Sequence, residues 1–324
     1  MKRTLAILVI AVLMFTALIG CSQPSGAPQG SQNAPSATAT QPATQPAAQS
    51  NPTPAPPSPA TDFNNRREIS VVSREEGSGT RGAFIELLGI LVRGEDGTSR
   101  DMTTREAVIA DGTSIVITNV ANDVYAIGYI STGSLNDTVK ALSVDGATPT
   151  VENLKSGEYP VSRPFNIAYR GQPDGLAADF IDFIFSQEGQ EVVAGRGYIS
   201  VAENPAYSGS RPSGRLVIDG SSSVFPLMER LVEAYRRINE GADIEVHLTD
   251  SSSGMQAAIN GTADIGMASR DLREAEMAQL NHSAIAIDGI AVIVNNGNPL
   301  ESLSSGHIRS IFIGEIATWS DASE

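Results

Sequence analysis

Three times this chain runs an apolar strand signal into a Ser/Gly turn and then directly into a helical pattern. Ile69-Ser70-Val71-Val72 leads through Gly77-Ser78-Gly79 to Ala83-Phe84-Ile85-Glu86-Leu87-Leu88, with Ala83, Leu87 and Leu91 predicted on one face. Leu216-Val217-Ile218-Asp219 leads through Ser221-Ser222-Ser223 to a helix with Pro226 in its first turn, Leu227, Leu231, Tyr235 and Ile238 on one stripe, and Gly241 at its end. The alternation of Ile244, Val246 and Leu248 leads through Asp250-Ser251-Ser252-Ser253-Gly254 to a short helix over Met255–Ile259. Ile285–Asn295 is apolar enough for a central strand, and Leu176–Gln190 reads as one amphipathic helix. Repeated strand–turn–helix units predict an α/β fold in which helices cover a sheet.

The ends of the chain narrow the class. Lys2 and Arg3 precede an apolar run over Leu5–Ile19, which has the length of a secretion signal and is short for a membrane span. Leu18-Ile19-Gly20-Cys21 reads as a lipobox. Residues 1–21 are therefore expected to form a lipoprotein signal, with Cys21, the only cysteine, as the lipidation site. One cysteine also excludes an intrachain disulfide. From Ser22 to about residue 65 the chain is largely Pro, Ala, Ser, Thr, Gln, Gly and Asn. Such a segment cannot bury enough apolar surface to offset chain entropy. It is predicted to be a disordered tether, stiffened by proline to roughly 3 Å per residue.

About 260 residues remain, enough for two lobes of ordinary domain size. The net charge of −15 argues against nucleic acid as a partner. It leaves an anionic ligand open, because local dipoles in a buried site act independently of a distant acidic surface.

Each polar loop taken alone reads as a turn or helix cap. Together with Arg74 they read as one convergent anion site. Glycines admit close backbone approach, helix starts hold negative charge, hydroxyls donate, and a guanidinium fork fits a tetrahedral oxyanion. Gly77-Ser78-Gly79-Thr80-Arg81-Gly82 also matches the dinucleotide pattern GxGxxG. Against that rival, no acidic residue closes a second strand about 20 residues on; Glu95 and Asp96 lie in a polar turn. Nucleophile-elbow, SxxK and P-loop patterns are absent. His247, His282 and His307 have no metal-ligand spacing, and His247 is expected to face out of a strand. No catalytic residue, cofactor or metal is predicted. Trp319 is expected to pack near a turn.

Over residues 68–324 the chain resembles the phosphate-binding proteins of phosphate ABC importers. The motifs fall in two blocks. The first holds Ser73–Phe84, Ala126–Ser131, Tyr159–Pro164, Phe180–Ile184 and Gln187–Gln190. The second holds Gly220–Leu227, Ser253-Gly254, Ile259–Met267, Ser269-Arg270, Asp288–Asn295 and Ile311–Ile316 with Trp319. The resemblance implies a two-lobed type II periplasmic-binding fold that holds inorganic phosphate between its lobes for ABC permease subunits. Carried over by position, one lobe would offer Arg74, Ser78, the Gly79 N–H and Thr80. The other would offer Ser222, the Ser223 N–H, Ser251 and Ser269. Arg270 and Glu76 would stand behind them, Glu76 either orienting Arg74 or accepting a ligand proton. Where one branch of the family carries an aspartate that tells phosphate from sulfate, this chain has Ser269.

The two blocks stand in the reverse of the family's order, which implies circular permutation. The alternative is a fragment of a tandem fusion. Under permutation one lobe would comprise residues 66–131 plus 297–324, and the other 132–296. Crossovers would lie near Ser131–Gly133 and Val294–Gly297, and Asn204–Ser213 would be the connector between the old termini. The expected molecule is a lipid-anchored extracytoplasmic monomer touching the membrane through its anchor alone. A related oxyanion receptor or phosphate sensor is the runner-up, and a secreted enzyme the remaining class.

Overall fold

The computed structural model describes residues 63–94, 98–201 and 205–323. The signal segment, Cys21 and the tether up to residue 62 lie outside the described residues, as do Glu95 and Asp96. The far end of the predicted tether belongs to the fold. Phe63 packs on Tyr125 and Trp319 at ring-centroid distances of 5.2 and 6.2 Å, and Asn65 O accepts Ser320 N at 2.7 Å.

The first half runs β1 (Ser70–Arg74), α1 (Gly79–Leu87), β2 (Leu91–Arg93), β3 (Ser99–Asp101), β4 (Val108–Ala110), α2 (Thr113–Asn122), β5 (Ala126–Ser131), β6 (Val139–Ala141), β7 (Ser143–Val144) and α3 (Val151–Ser156). The second runs β8 (Ser162–Tyr169), α4 (Gly175–Phe185), α5 (Gln187–Gly195), β9 (Gly214–Ser221), α6 (Phe225–Arg236), β10 (Ala242–Thr249), α7 (Ser251–Asn260), β11 (Ile265–Ala268), α8 (Glu274–Met277) and β12 (Asn281–Asn295). Strand β13 (Ser302–Leu303) and helix α9 (Ser305–Phe312) close the chain. One mixed sheet orders the strands β10-β9-β11-β8-β12-β5-β1-β4, with β6 also on β12. The α/β class read from the sequence is the class observed.

Local signals explain these elements. Leu216 and Ile218 alternate inward along β9, at 1% and 0% exposure. Pro226 sits in the first turn of α6, whose Leu227, Leu231 and Tyr235 are buried. That helix ends at Arg236, short of Gly241, which leaves Ile238 exposed. Leu87 is likewise exposed, where the helical face had predicted it inside. The single helix predicted over Leu176–Gln190 is two. Ser186 takes an extended conformation and its Oγ accepts Gly189 N at 3.2 Å, so it starts a new helix instead of continuing the old one.

The cores divide the chain at places other than those expected. Leu142, Val144, Leu154, Tyr159, Val161, Ile290, Val292 and Val294 pack with Phe84, Tyr129, Phe312 and Trp319. A separate cluster gathers Phe165 through Ala286. Residues 139–161 and 290–294 thus join the lobe of β1. The chain passes between lobes at Val161–Ser162 and Gly289–Ile290, where Ile290 N donates to Val161 O at 2.8 Å. The segment after Ser131 turns back because its apolar residues fill the same core. Asp288, fully buried at this crossing, accepts Ser131 Oγ (2.9 Å) and Thr132 Oγ1 (3.0 Å) from one lobe and Arg163 Nη2 (3.0 Å) at the start of β8.

The connector over 205–213 is pinned at the surface. Asp179 of α4 accepts the hydroxyls of Tyr207 and Tyr235 and the backbone N–H groups of Ser210 and Arg211. Burial raises the Asp179 carboxyl, but these bonds outweigh it and hold the group below its ordinary 3.8; Tyr235 is pushed up to about 12 by burial and the carboxylate. A carboxyl depressed in the folded state stabilises above its unfolded value, and that stability is lost as pH falls through the folded value. Asp179→Asn should therefore cost about 1–3 kcal/mol at neutral pH and speed proteolysis within 205–213. The gap in urea midpoint between parent and variant should close as pH drops below 3.8. A gap unchanged at about pH 2 would contradict this account.

Candidate anion site between the lobes

Strand β1 delivers Arg74 to the lobe boundary with its side chain buried. Its backbone N donates to Tyr129 Oη at 3.2 Å, and its carbonyl accepts Arg81 Nη1 at 2.8 Å. The guanidinium donates to Glu75 through Nε (2.7 Å) and Nη2 (2.5 Å), to Ser222 Oγ through Nη2 (3.0 Å) and to Thr113 Oγ1 through Nη1 (3.4 Å). The carboxylate that orients Arg74 is therefore Glu75, whose Oε2 also accepts Gly112 N at 3.2 Å. Glu76 sits in the following turn, exposed, and lines an interlobe groove of about 890 Å³ with Ser78, Arg81, Arg270 and Arg273. The orienting role predicted for Glu76 belongs to its neighbour. Beyond the turn Ser78 caps α1, its Oγ accepting Arg81 N at 3.3 Å.

The serine loops of the other lobe meet this surface. Gly220 (φ +140°) bends the end of β9 so tightly that a Cβ there would fall 2.3 Å from Met267 O. Ser221 Oγ then donates to Ser269 Oγ at 2.9 Å and accepts Ser223 N at 3.3 Å. Asp250 caps α7 through Ser252 N and Ser253 N, which places Ser251 Oγ to accept Ser269 N at 3.1 Å. Arg270 is held by Glu276 at 2.8 Å and reaches Ser252 Oγ at 3.4 Å, behind the loops.

Of the residues singled out for direct ligand contact, Arg74, Gly79, Thr80, Ser222, Ser223, Ser251 and Ser269 meet at the boundary, whereas Ser78 caps α1 and lines the groove beside Glu76. Thr80 Oγ1 and Ser223 Oγ are 2.7 Å apart across the boundary, and Ser252 N donates to Gly77 O at 3.2 Å. A Cβ on Gly79 would lie 2.3 Å from Ser251 Oγ and 2.8 Å from Ser269 Oγ, so the backbone of α1's first turn abuts both serines. Arg74, Ser78, Thr80, Ser222, Ser223, Ser251 and Ser269 are each at most 6% exposed. The result is a closed cage of hydroxyls, helix starts and one arginine fork. Among the described residues no cluster of His, Cys, Asp and Glu could hold a metal ion, and His247 is half exposed on β10.

Sequence reading passed over Glu75 and Thr113. Thr113 opens α2 and is 6% exposed; its Oγ1 lies 3.3 Å from both Ser222 Oγ and Ser223 Oγ. The signal was Asp111-Gly112-Thr113-Ser114 ahead of an apolar helix, a fourth turn of the same kind but with fewer serines.

A buried polar cage shared by two lobes that are joined at two crossings defines a solute receptor of the type II periplasmic-binding class. The PBP superfamily domain profile matches residues 49–188 and 205–324. The chain is 47% identical over 263 residues to phosphate-binding protein PstS 2 of Streptococcus agalactiae, covering 81% of this chain and 90% of that protein. It is 45% identical over 253 residues to phosphate-binding protein PstS 2 of Streptococcus pneumoniae, covering 78% and 86%. The crystal structure of a phosphate-binding protein of a Streptococcus pneumoniae phosphate ABC transporter superposes with a TM-score of 0.64 at 44% identity, over 79% of this chain and 99% of that one. This chain belongs to the PBP superfamily and, within it, to the family of PstS phosphate-binding proteins.

The contact at Gly79 yields a test of closure. A methyl group there collides with Ser251 only when the lobes are shut, since the two residues sit on different lobes. Gly79→Ala should leave the ligand-free melting temperature nearly unchanged. It should weaken ligand binding roughly tenfold or more, the range of a packing clash of about 1–3 kcal/mol. Calorimetric titration beside a melting curve separates the two effects.

Proposed function

We propose that this chain captures inorganic phosphate in the interlobe cage and delivers it to the permease of an ABC importer, acting as a receptor and not as an enzyme. The observation that carries the reading is the meeting of Arg74 with hydroxyls from both lobes in a space closed to water. A tetrahedral oxyanion removed from water needs donors in all directions to replace its hydration. Arg74 supplies a charged fork, and the starts of α1, α6 and α7 supply backbone N–H groups with favourable dipoles. Ser78, Thr80, Ser222, Ser251 and Ser269 supply hydroxyls, which both donate to P–O⁻ and accept from P–OH. Glu75 is engaged by Arg74 and Gly112 N, so its negative charge is directed away from the ligand. The relatives carry phosphate-binding names, which agrees with this chemistry.

Release requires the lobes to part about Val161–Ser162 and Gly289–Ile290. Hinge closure about a few residues is the usual device of such receptors. We further infer that Cys21 is lipidated, that the segment from Ser22 to residue 62 tethers a monomer outside the cytoplasm, and that nucleic acid is not a partner. Among the described residues no helix is long and apolar enough to cross a membrane, which agrees with attachment by an anchor.

Selectivity turns on Ser269. A hydroxyl there accepts a ligand proton without demanding one, so a fully ionised oxyanion meets no opposing carboxylate at that position. This favours a wider oxyanion range than a carboxylate in the same place would permit. Calorimetry with phosphate, sulfate and arsenate should give tight phosphate binding. Arg74→Ala should lose about 3–5 kcal/mol of it, as when one partner of a buried charge pair is removed. Parent-like phosphate affinity in Arg74→Ala would exclude the cage as the binding site.

We also propose that the two blocks are circularly permuted. Two observations support it. Ile69 N donates to Ala317 O at 2.8 Å, Glu68 bridges Thr318, and Ser320 N reaches Asn65 O, so the two ends of the described fold lie side by side. The connector over 205–213 is a surface loop held by Asp179. A protein re-joined at the present ends and opened within 205–213 should fold and bind phosphate with parent affinity. Failure to fold in that order would count against permutation.

A further inference from the structure

We propose that Thr113 is a further ligand-binding residue of the cage, its hydroxyl a direct partner of the bound tetrahedral oxyanion. This rests on the phosphate reading of the site. Thr113 Oγ1 is 3.4 Å from Arg74 Nη1, 3.3 Å from Ser222 Oγ and 3.3 Å from Ser223 Oγ. It therefore touches the arginine fork and the serine loop of the opposite lobe at once, the groups that would surround the anion. At 6% exposure it faces the cage and not solvent.

The distances matter. A hydroxyl bonded well to another oxygen sits at about 2.7–2.8 Å. Thr80 and Ser223 meet at 2.7 Å, and Ser221 and Ser269 at 2.9 Å. The contacts of Thr113 are all at 3.3–3.4 Å. Such spacing leaves its one proton and two lone pairs readily turned toward an oxygen placed among the three neighbours, which would then be shared by Arg74, Ser222 and Ser223.

The backbone points the same way. Helix α2 starts from Gly112, at φ +99° and ψ 162°, with no side-chain cap, whereas α1 is capped by Ser78 and α7 by Asp250. An uncapped helix start is a place where an anion satisfies first-turn donors. Glu75 Oε2 takes Gly112 N, the residue before the helix, and so ties this turn to the Arg74 fork. The helix thus brings a threonine, a dipole and an arginine contact to one point.

Titration of the full chain with inorganic phosphate tests the assignment, using Thr113→Val, which keeps shape and removes the hydroxyl, and Thr113→Ser, which keeps the hydroxyl and removes the methyl. Thr113→Val should bind about tenfold more weakly or worse, the consequence of losing one hydrogen bond to a charged group. Thr113→Ser should stay within about threefold of the parent, since the bond is retained. Both variants should keep the parent's ligand-free melting temperature. The proposal is overturned if Thr113→Val binds like the parent, if Thr113→Ser fails as badly as Thr113→Val, or if the loss is matched by a fall in ligand-free stability. A parent chain that takes up no phosphate would instead defeat the functional reading itself, and this assignment with it.

Discussion

A guanidinium at 1% exposure cannot be left unpaired, and much of the site is arranged around that requirement. Arg74 has Glu75 across its fork, Tyr129 on its backbone N–H and Arg81 on its carbonyl. These partners immobilise the charge before any ligand arrives. Its remaining directions face hydroxyls, Ser222 from one lobe and Thr113 from the other. A fixed cation with adaptable neutral partners suits a small, highly charged guest, because the geometry need not reorganise to receive it. Tyr129 in turn stacks on Phe84 at 3.9 Å between centroids, so the position of the charge is anchored in the hydrophobic core.

The second constraint is that the cage belongs to neither lobe alone. Contacts such as Thr80 with Ser223 exist only when the lobes are together. Few covalent paths join them, and Asp288 gathers those paths by accepting from Ser131, Thr132 and Arg163. Burial raises the Asp288 carboxyl and lowers the Arg163 guanidinium, so this pair carries a desolvation cost. The Asp288 cluster joins the lobes by polar contacts beside Val161 and Ile290, which are buried in the apolar core. The acidic surface, with a net charge of −15, acts against none of this, because charges beyond a Debye length are largely screened while the cage is enclosed.

The peptide order is a separate matter from this geometry. The interlobe contacts depend on which side chains face the cleft, not on where the chain starts. The ends of the fold lie beside each other, and the connector over 205–213 is fastened to Asp179 by both backbone and side-chain groups. Strand β12 runs through both lobes, pairing antiparallel with β5 in one and with β8 in the other.

Much of this protein was decided by local sequence. Apolar alternation marks β9 and β10, Pro226 marks the start of α6, and the Gly/Ser turns mark the loops that became the cage. These signals are legible because strand and helix periods bind residues two to four positions apart, and because small polar residues at helix starts have few other uses. Partner choice was not legible. Whether Glu75 or Glu76 would hold Arg74 depended on how the chain turned at Gly77, and Thr113 gained its place from packing across 39 residues of sequence. The break at Ser186 and the lobe boundaries at Val161 and Gly289 likewise arose from competition among distant contacts. Sequence determined which chemical groups were available and on what local frame. Only the tertiary structure decided which of them face one another, because burial and long-range hydrogen bonding are settled when the two lobes assemble.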